Sequence, residues 1–375
     1  NDLNIFGIKL EIFFALDILI VPMDYKYNIE KKFKRQWQKK IINWYEINKR
    51  DLPWRKRNNQ NFYKIWISEV MLQQTIVKTV IPYYEKFIKK WPNLKSFYNA
   101  SLDEILLHWQ GLGYYQRARN LFKAKEYLKK NRLFISSSNL KQIPGIGDYI
   151  SCSISAILKD ENCAVVDGNI KRIIKRVFNL NESSKFFKKQ IYYIAKELTP
   201  DLKNGIYCQS LMDFANLVCK VKKPYCEKCI VKNLCKFDGK QKKLNKKPII
   251  NKLGIGFFIR ENKNFLVGIS KKKLFQGLYS IPFSDFINNK ENTEKELIDR
   301  IILDWMSLHN ISQKYQILGY VNHIFSHFHL KLFVVDIKLK SKINLVNYKW
   351  MTHRAYNSKP KSSLMMKVKK LMICI

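Results

Sequence analysis

Residues 140–155 read LKQIPGIGDYISCSIS. Two stretches of helical pattern meet at Ile143-Pro144-Gly145-Ile146-Gly147, with room between them for only a tight turn. Gly145 and Gly147 allow a sharp bend and can bring backbone N–H groups close to an anion, a phosphate being the natural one for a chain this basic. No strand pattern precedes these glycines, which excludes a dinucleotide-binding turn, and Gly111-Leu112-Gly113 fails the same test. The stretch predicts a hairpin between two helices.

Around this hairpin, helical signals run from Glu30 to Cys235. Pro82 and Pro92 punctuate successive helices, and Ser101 with Glu104 three residues later forms a capping box. Residues 238–247 (DGKQKKLNKK) hold five lysines and almost nothing apolar, so 238–250 reads as a basic linker. Beyond it the period changes. Residues 253–259, 265–269 and 331–338 are short runs of β-branched and aromatic residues, with Glu294–Leu308 a helix candidate between them. The chain of 375 residues therefore divides into a mainly α region, 23–237, and an α+β domain, 251–375. Residues 1–22 are broken by Lys9, Glu11 and Asp17, too interrupted for a membrane span, and Met23 opens a segment resembling an ordinary start.

A net charge of +39 favours a polyanionic partner, although heavy use of Lys, Asn and Ile throughout accounts for part of the excess. Arginine is the minority cation, and Arg50, Arg55, Arg117 and Arg119 all fall inside motifs. Of eight cysteines, Cys152, Cys163, Cys208 and Cys374 are scattered and suggest no disulfide framework, as in a reducing compartment.

Two acids stand out. In residues 63–80 (YKIWISEVMLQQTIVKTV) one helix is expected, and Ile65, Leu72 and Ile76 place Glu69 on its apolar stripe. Burial there raises a carboxyl pKa toward the range of a general acid; the alternative is a buried acid paired with an arginine. Asp167 has the opposite setting, since Gly168 permits a turn and Asn169 can cap a helix over 170–178. Backbone N–H groups at that terminus favour the charged carboxylate. One acid tuned up and one tuned down suits cleavage of a glycosidic bond.

Cys219, Cys226, Cys229 and Cys235 form a C-x6-C-x2-C-x5-C run. Zinc modules usually show two close pairs and only Cys226/Cys229 is one, while all-thiolate ligation without histidine suits a [4Fe–4S] cluster. Lys220, Lys222, Lys223 and Lys228 decorate this loop, so a cage there would hold a basic surface.

These motifs together resemble the MutY-type adenine DNA glycosylases of the helix-hairpin-helix superfamily, which includes endonuclease III. The resemblance is carried by RDLPWR at 50–55, SEVMLQQT at 68–75, WQGLGYYQRARNL at 109–121, PGIGDY at 144–149, VDGN at 166–169 and the cysteine run. It continues with GLYSIP at 277–282 and FSHFHL at 325–330. It implies that Glu69 protonates adenine at N7 and that Asp167 stabilises the sugar cation, assisted by Tyr149 and Asn169. Arg50, Leu52, Trp54 and Arg55 would wall the pocket of an extruded adenine. Gln74 and Tyr114 would enter the base stack, Thr75 and Leu112 would neighbour the opposing lesion, and Phe325-Ser326-His327 would sense 8-oxoguanine. Gly145 and Gly147 would meet the DNA backbone.

Two departures qualify the resemblance. Endonuclease III relatives carry a lysine two residues after the second hairpin glycine, where this chain has Tyr149, so a Schiff-base lyase step is not expected. The C-terminal domain resembles a Nudix fold, yet Glu294, Glu296 and Asp299 do not form its acidic metal box, and recognition rather than hydrolysis is expected. The overall expectation is a monofunctional, monomeric glycosylase with a [4Fe–4S] cluster. It would act on double-stranded DNA with A:8-oxoguanine or A:G mispairs, in a bacterial cytoplasm at the nucleoid, without a membrane. A pyrimidine glycosylase of the same superfamily and a non-catalytic iron–sulfur DNA-binding protein are the rival readings.

Overall fold

The structure, a computed structural model, describes residues 29–239, 249–271, 274–288, 294–325 and 327–373. The extension 1–22, most of the basic linker, and Ser326 lie outside the described residues. The chain forms two compact units, residues 1–70 with 130–242 and residues 71–129 with 243–375. No helix among the described residues is long and apolar enough to cross a membrane.

The first unit is helical. Its principal helices are α1 (Lys31–Asn48), α2 (Phe62–Leu72), which ends beyond it, α6 (Asp148–Lys159), α7 (Gly168–Val177), α8 (Phe187–Leu198) and α9 (Asn204–Leu217). Each presents an apolar stripe at helical spacing. Trp37 and Ile41 of α1 meet Ile173 and Ile174 of α7, Ile191 and Ile194 of α8, and Phe214 of α9 in one core. Full burial of one such side chain is worth about 1.5–3 kcal/mol. A polar pair within this core is satisfied, with Trp37 Nε1 donating to the Tyr207 hydroxyl at 2.8 Å. Gly205 lets α9 approach α6 closely. A Cβ there would stand 2.6 Å from the carbonyl oxygen of Ala156.

The predicted hairpin is present, with its two glycines in different states. Gly145 has φ +84, in the left-handed region. Gly147 is extended at φ −94 and ψ −176 and serves as the N-cap position of α6. The space in front of this helix N-terminus is open, since a Cβ at Gly147 would meet nothing within 4 Å. After α6 the chain reverses at Asp160, which is left-handed, and returns along residues 160–167. That reversal joins Cys152 and Cys163 in a disulfide with Cα atoms 5.5 Å apart, which corrects the expectation of no disulfide for this pair.

In the second unit, α3 (Val77–Lys90), α4 (Leu102–His108) and α5 (Gln116–Lys130) surround a nest of Phe87, Trp91, Phe97 and Trp109. The capping box at Ser101 and Glu104 is formed as expected. Two local expectations change. Residues 63–80 are not one helix: α2 stops at Leu72, and Gln74 with φ +56 breaks the path before α3. Pro82 lies inside α3 rather than at its start.

The rest of this unit is α+β. A mixed seven-stranded sheet runs in the order β3 (Tyr279–Ser280), β2 (Asn264–Ile269), β1 (Ile250–Glu261), β6 (Phe328–Lys338), β5 (Tyr315–Ile324), with β4 (Ile287–Asn288) on β1 and β7 (Tyr348–Thr352) on β2. The strands β1 and β6 are parallel, from Ile250 opposite Phe328 to Arg260 opposite Lys338. Strand alternation sorts the side chains. Leu253, Ile255 and Phe257 face Ile298 and Ile302 of α10 (Glu294–Leu308), whereas Leu330, Leu332 and Val334 face Leu364 and Val368 of α11 (Ser363–Met372).

Candidate active site

Glu69 lies on α2 among the apolar residues Ile65, Trp66 and Val70, and is 9% exposed. Burial is the largest influence on its carboxyl and raises its pKa; the hydroxyls of Tyr149 and Ser153 oppose this as hydrogen-bond donors, Asp167 reinforces it, and Arg55 opposes it. Tyr149 and Ser153 are one turn apart on α6, so one face of that helix presents both hydroxyls. Glu69 Oε2 is buried and accepts no hydrogen bond from the described residues. The phenol of Tyr149 is held well above its ordinary range by burial and then by Glu69, Cys208 and Asp167. A carboxyl oxygen whose protonated form burial favours thus remains uncommitted beside a tyrosine that stays protonated.

The alternative pairing of Glu69 with arginine is not what the structure contains. Arg55 Nη1 and Nη2 donate to Asp213 Oδ2 and Oδ1 at 2.7 and 3.0 Å, and Arg50 Nε reaches Oδ1 at 2.7 Å. Asp213 is fully buried on α9, and burial pushes its pKa up while the two guanidiniums bring it net below the ordinary range. The sequence reading missed this residue, because its partners lie 158 and 163 positions away. Leu52 and Trp54 are buried beside these arginines in the same segment.

Asp167 itself is the N-cap of α7, accepting from the N–H groups of Asn169 and Ile170, both at 2.8 Å. Asn169 sits inside the first turn, correcting its expected capping role, and its Nδ2 donates to Asp167 Oδ2 at 2.8 Å. The expected opposite tuning of the two acids also changes. Burial raises the Asp167 pKa, and the two N–H groups, the Asn169 amide and Arg172 do not fully offset it. Both carboxyls are therefore raised by loss of water, and they differ in partners rather than in direction.

From Asn169 a chain of contacts leads to the cysteine loop. Arg172 Nη1 donates to Asn169 Oδ1 at 3.2 Å and its Nε to the Cys219 carbonyl at 3.0 Å. One turn on, Arg176 Nη1 reaches Cys219 Sγ at 3.3 Å and the Lys220 carbonyl at 2.7 Å. Cys219, Cys229 and Cys235 are half-buried and Cys226 is exposed. Burial first, then mutual repulsion among the four thiols, holds Cys229 up at about 11 and raises Cys235. Among the described residues no three His, Cys, Asp or Glu side chains close on a point as a single ion requires. A four-iron cage spreads its thiolates more widely. The donor set fits such a cage: four thiols within electrostatic reach, no histidine, and a guanidinium on one sulfur. Lys222, Lys223 and Lys228 of this loop are exposed.

In the second unit, Gln74 and Tyr114 are exposed and both left-handed, with φ +56 and +46. Leu112 is buried and Thr75 half-buried. Arg117 ties the two loops together: Nη1 donates to the carbonyls of Met71 and Gln73, both at 2.7 Å, and Nη2 to Thr75 Oγ1 at 3.1 Å and the Gly113 carbonyl at 3.2 Å. Phe325 packs against Phe275 and Phe328 while His327 is exposed.

Residues 67–200 match the model of the HhH-GPD superfamily base excision DNA repair proteins. An adenine DNA glycosylase of Buchnera aphidicola subsp. Schizaphis graminum is 34% identical over 330 residues, which is 82% of this chain and 89% of that protein. The chain belongs to the adenine DNA glycosylase family. A second adenine DNA glycosylase, from Buchnera aphidicola subsp. Baizongia pistaciae, is 36% identical over 298 residues, 76% of this chain and 82% of that one. Among solved structures, a thermostable thymine-DNA glycosylase matches with a TM-score of 0.50 and 27% identity, covering 55% of this chain and 96% of that one. As a member of the adenine DNA glycosylase family, the chain is a base-excision repair enzyme that binds DNA and acts on adenine.

Proposed function

We propose that this enzyme removes adenine paired with 8-oxoguanine or guanine in double-stranded DNA, by hydrolysis of the N-glycosidic bond without a lyase step. The observation that carries the mechanism is Glu69 Oε2, buried and uncommitted beside Tyr149 and within electrostatic reach of Asp167. Burial favours the protonated form of Glu69, which delivers its proton to N7 of the extruded adenine and so weakens the bond to the sugar. Asp167, oriented by Asn169 and the N-terminus of α7, stabilises the positive charge that develops on the sugar. A cationic sugar opposes the upward shift of this carboxyl and favours its anionic form as the charge appears. Tyr149 holds the place of the lyase lysine and offers a hydroxyl instead.

Arg50, Leu52, Trp54 and Arg55 form the adenine pocket in this reading, with the arginines fixed by Asp213. Gln74 and Tyr114 enter the stack, Thr75 and Leu112 border the opposing base, and Gly145 and Gly147 expose N–H groups to a phosphate. Phe325, Ser326 and His327 sense the 8-oxoguanine, with Phe325 as the packed anchor and His327 presented to solvent. Cys219, Cys226, Cys229 and Cys235 hold a [4Fe–4S] cluster, which crosslinks the loop and keeps its lysines toward the DNA backbone. The domains so used are the helical region 23–237 and the recognition domain 251–375, acting in the cytoplasm on the nucleoid.

Single-turnover assays on duplexes carrying A:8-oxoguanine, A:G, T:G and U:G test this reading. Free adenine from the first two, with strand scission only after alkali, is expected. Release of thymine or uracil alone points to the pyrimidine reading suggested by the thymine-DNA glycosylase likeness. Tight lesion binding with no base released overturns catalysis altogether. Asp167→Asn keeps a capping oxygen and is expected to fold yet lose roughly 10²–10⁴-fold in rate.

A further inference from the structure

The loop 110–115 is gripped on both flanks by the main chain of one distant residue, Lys361. On one flank the Lys361 N–H donates to Gln110 Oε1 at 3.1 Å. On the other the Tyr115 hydroxyl donates to the Lys361 carbonyl at 3.2 Å and accepts from the Gly111 N–H at 3.3 Å. Lys361 is itself fixed. Its side chain is 3% exposed and folds back, Nζ donating to the carbonyls of Asn357 and Lys359 at 3.2 and 2.6 Å. Two outlying contacts widen the joint: Lys359 Nζ to Asp103 Oδ2 at 3.3 Å, and Arg119 Nη1 to the Gln276 carbonyl.

We propose that the α+β domain positions the stack-entering loop, with Gln110 and Tyr115 as the positioning residues that clasp it to Lys361 and so present Tyr114. The geometry argues for this because the clasp closes on the two ends of a short loop, Arg117 holds the Gly113 carbonyl between them, and the Tyr114 side chain stays exposed. Tyr114 is 50% exposed while Tyr115 next to it is half-buried in the joint. A left-handed residue at the tip needs such support, since its backbone conformation is not self-sustaining. The domain that meets the 8-oxoguanine would thereby also set the depth at which Tyr114 enters the helix. This inference rests on the reading of Tyr114 as a wedge.

The test uses the full chain on a duplex with a non-hydrolysable 2′-fluorinated deoxyadenosine opposite 8-oxoguanine and 2-aminopurine beside the lesion. Unstacking by the wedge is read as a rise in 2-aminopurine fluorescence on binding. Tyr115→Phe and Gln110→Met are expected to reduce the binding-coupled rise about fivefold, the weight of one hydrogen bond. Gln110→Glu keeps the accepting oxygen and is expected to retain the wild-type signal. A full rise in both Tyr115→Phe and Gln110→Met overturns the clasp. Equal loss in Gln110→Glu and Gln110→Met also overturns it, because the acceptor is then irrelevant. If the unaltered enzyme gives no rise while still releasing adenine from a cleavable duplex, the wedge reading fails instead, independently of the clasp.

Discussion

Arg117 Nη1 donates to the carbonyl oxygen of Gln73 at 2.7 Å, and through this bond α5 holds the turn that separates α2 from α3. The same guanidinium serves the Gly113 carbonyl, so both left-handed residues, Gln74 and Tyr114, depend on one buried cation. Burial lowers its pKa to about 10, which leaves it charged at neutral pH.

Replacing Arg117 with methionine would leave several loop carbonyls without a donor. Each unsatisfied buried group costs about 1–3 kcal/mol, so a loss of about 3 kcal/mol in urea unfolding is expected. Arg117→Lys keeps the charge but has no planar fork to span both loops, and should recover less than half of that loss.

Glu69→Gln should abolish adenine release while making the protein more stable at neutral pH. The sign follows from linkage. Burial raises the folded-state pKa of Glu69 above its unfolded value, so between the two values the folded state binds the proton and the unfolded state does not. Stability is therefore lost as pH rises through that window, and the glutamine variant escapes the loss. Urea midpoints measured between pH 4 and pH 8, all approximate choices around the ordinary carboxyl range, should diverge upward for the variant. Base release by the wild type should fall as pH rises past the folded-state value. A midpoint difference that stays constant across this range would mean that Glu69 is not buried as an acid.

Asp213→Asn should cost about 3–5 kcal/mol, because it strands two arginines against a neutral amide in a buried site. Here the linkage has the opposite sign. The folded-state pKa is net lowered, so the stability from this carboxylate is present above its unfolded value and lost as pH falls through the folded one. Thermal melts of wild type and variant should therefore converge at acid pH. Adenine affinity should weaken too, as Arg50 and Arg55 lose their shared anchor.

On the proposed [4Fe–4S] cluster, Cys229→Ser removes one half-buried thiol of the four and should lower the iron content and the visible absorbance of the protein. Loss of DNA affinity should exceed loss of the chemical step measured on enzyme saturated with DNA, since the cysteine loop carries exposed Lys222, Lys223 and Lys228. Preparations holding about one zinc per chain and no iron would overturn the cluster.

Local pattern alone determined a great deal. The hairpin at Gly145, the capping box at Ser101, Asp167 at a helix start, the burial of Glu69 and the change of period after the basic linker all depend on neighbours within a few positions. Side-chain spacing reports such features directly, because helix and strand repeat every few residues. Tertiary structure alone decided the rest. The pairing of Arg50 and Arg55 with Asp213, the grip of Arg117 on two loops, the disulfide across the Asp160 reversal and the clasp at Lys361 join residues far apart in the chain. The direction of the Asp167 shift belongs with them. A helix terminus pulls that carboxyl down, but how much water the folded protein removes from it is set by everything packed around it, and that removal outweighs the cap.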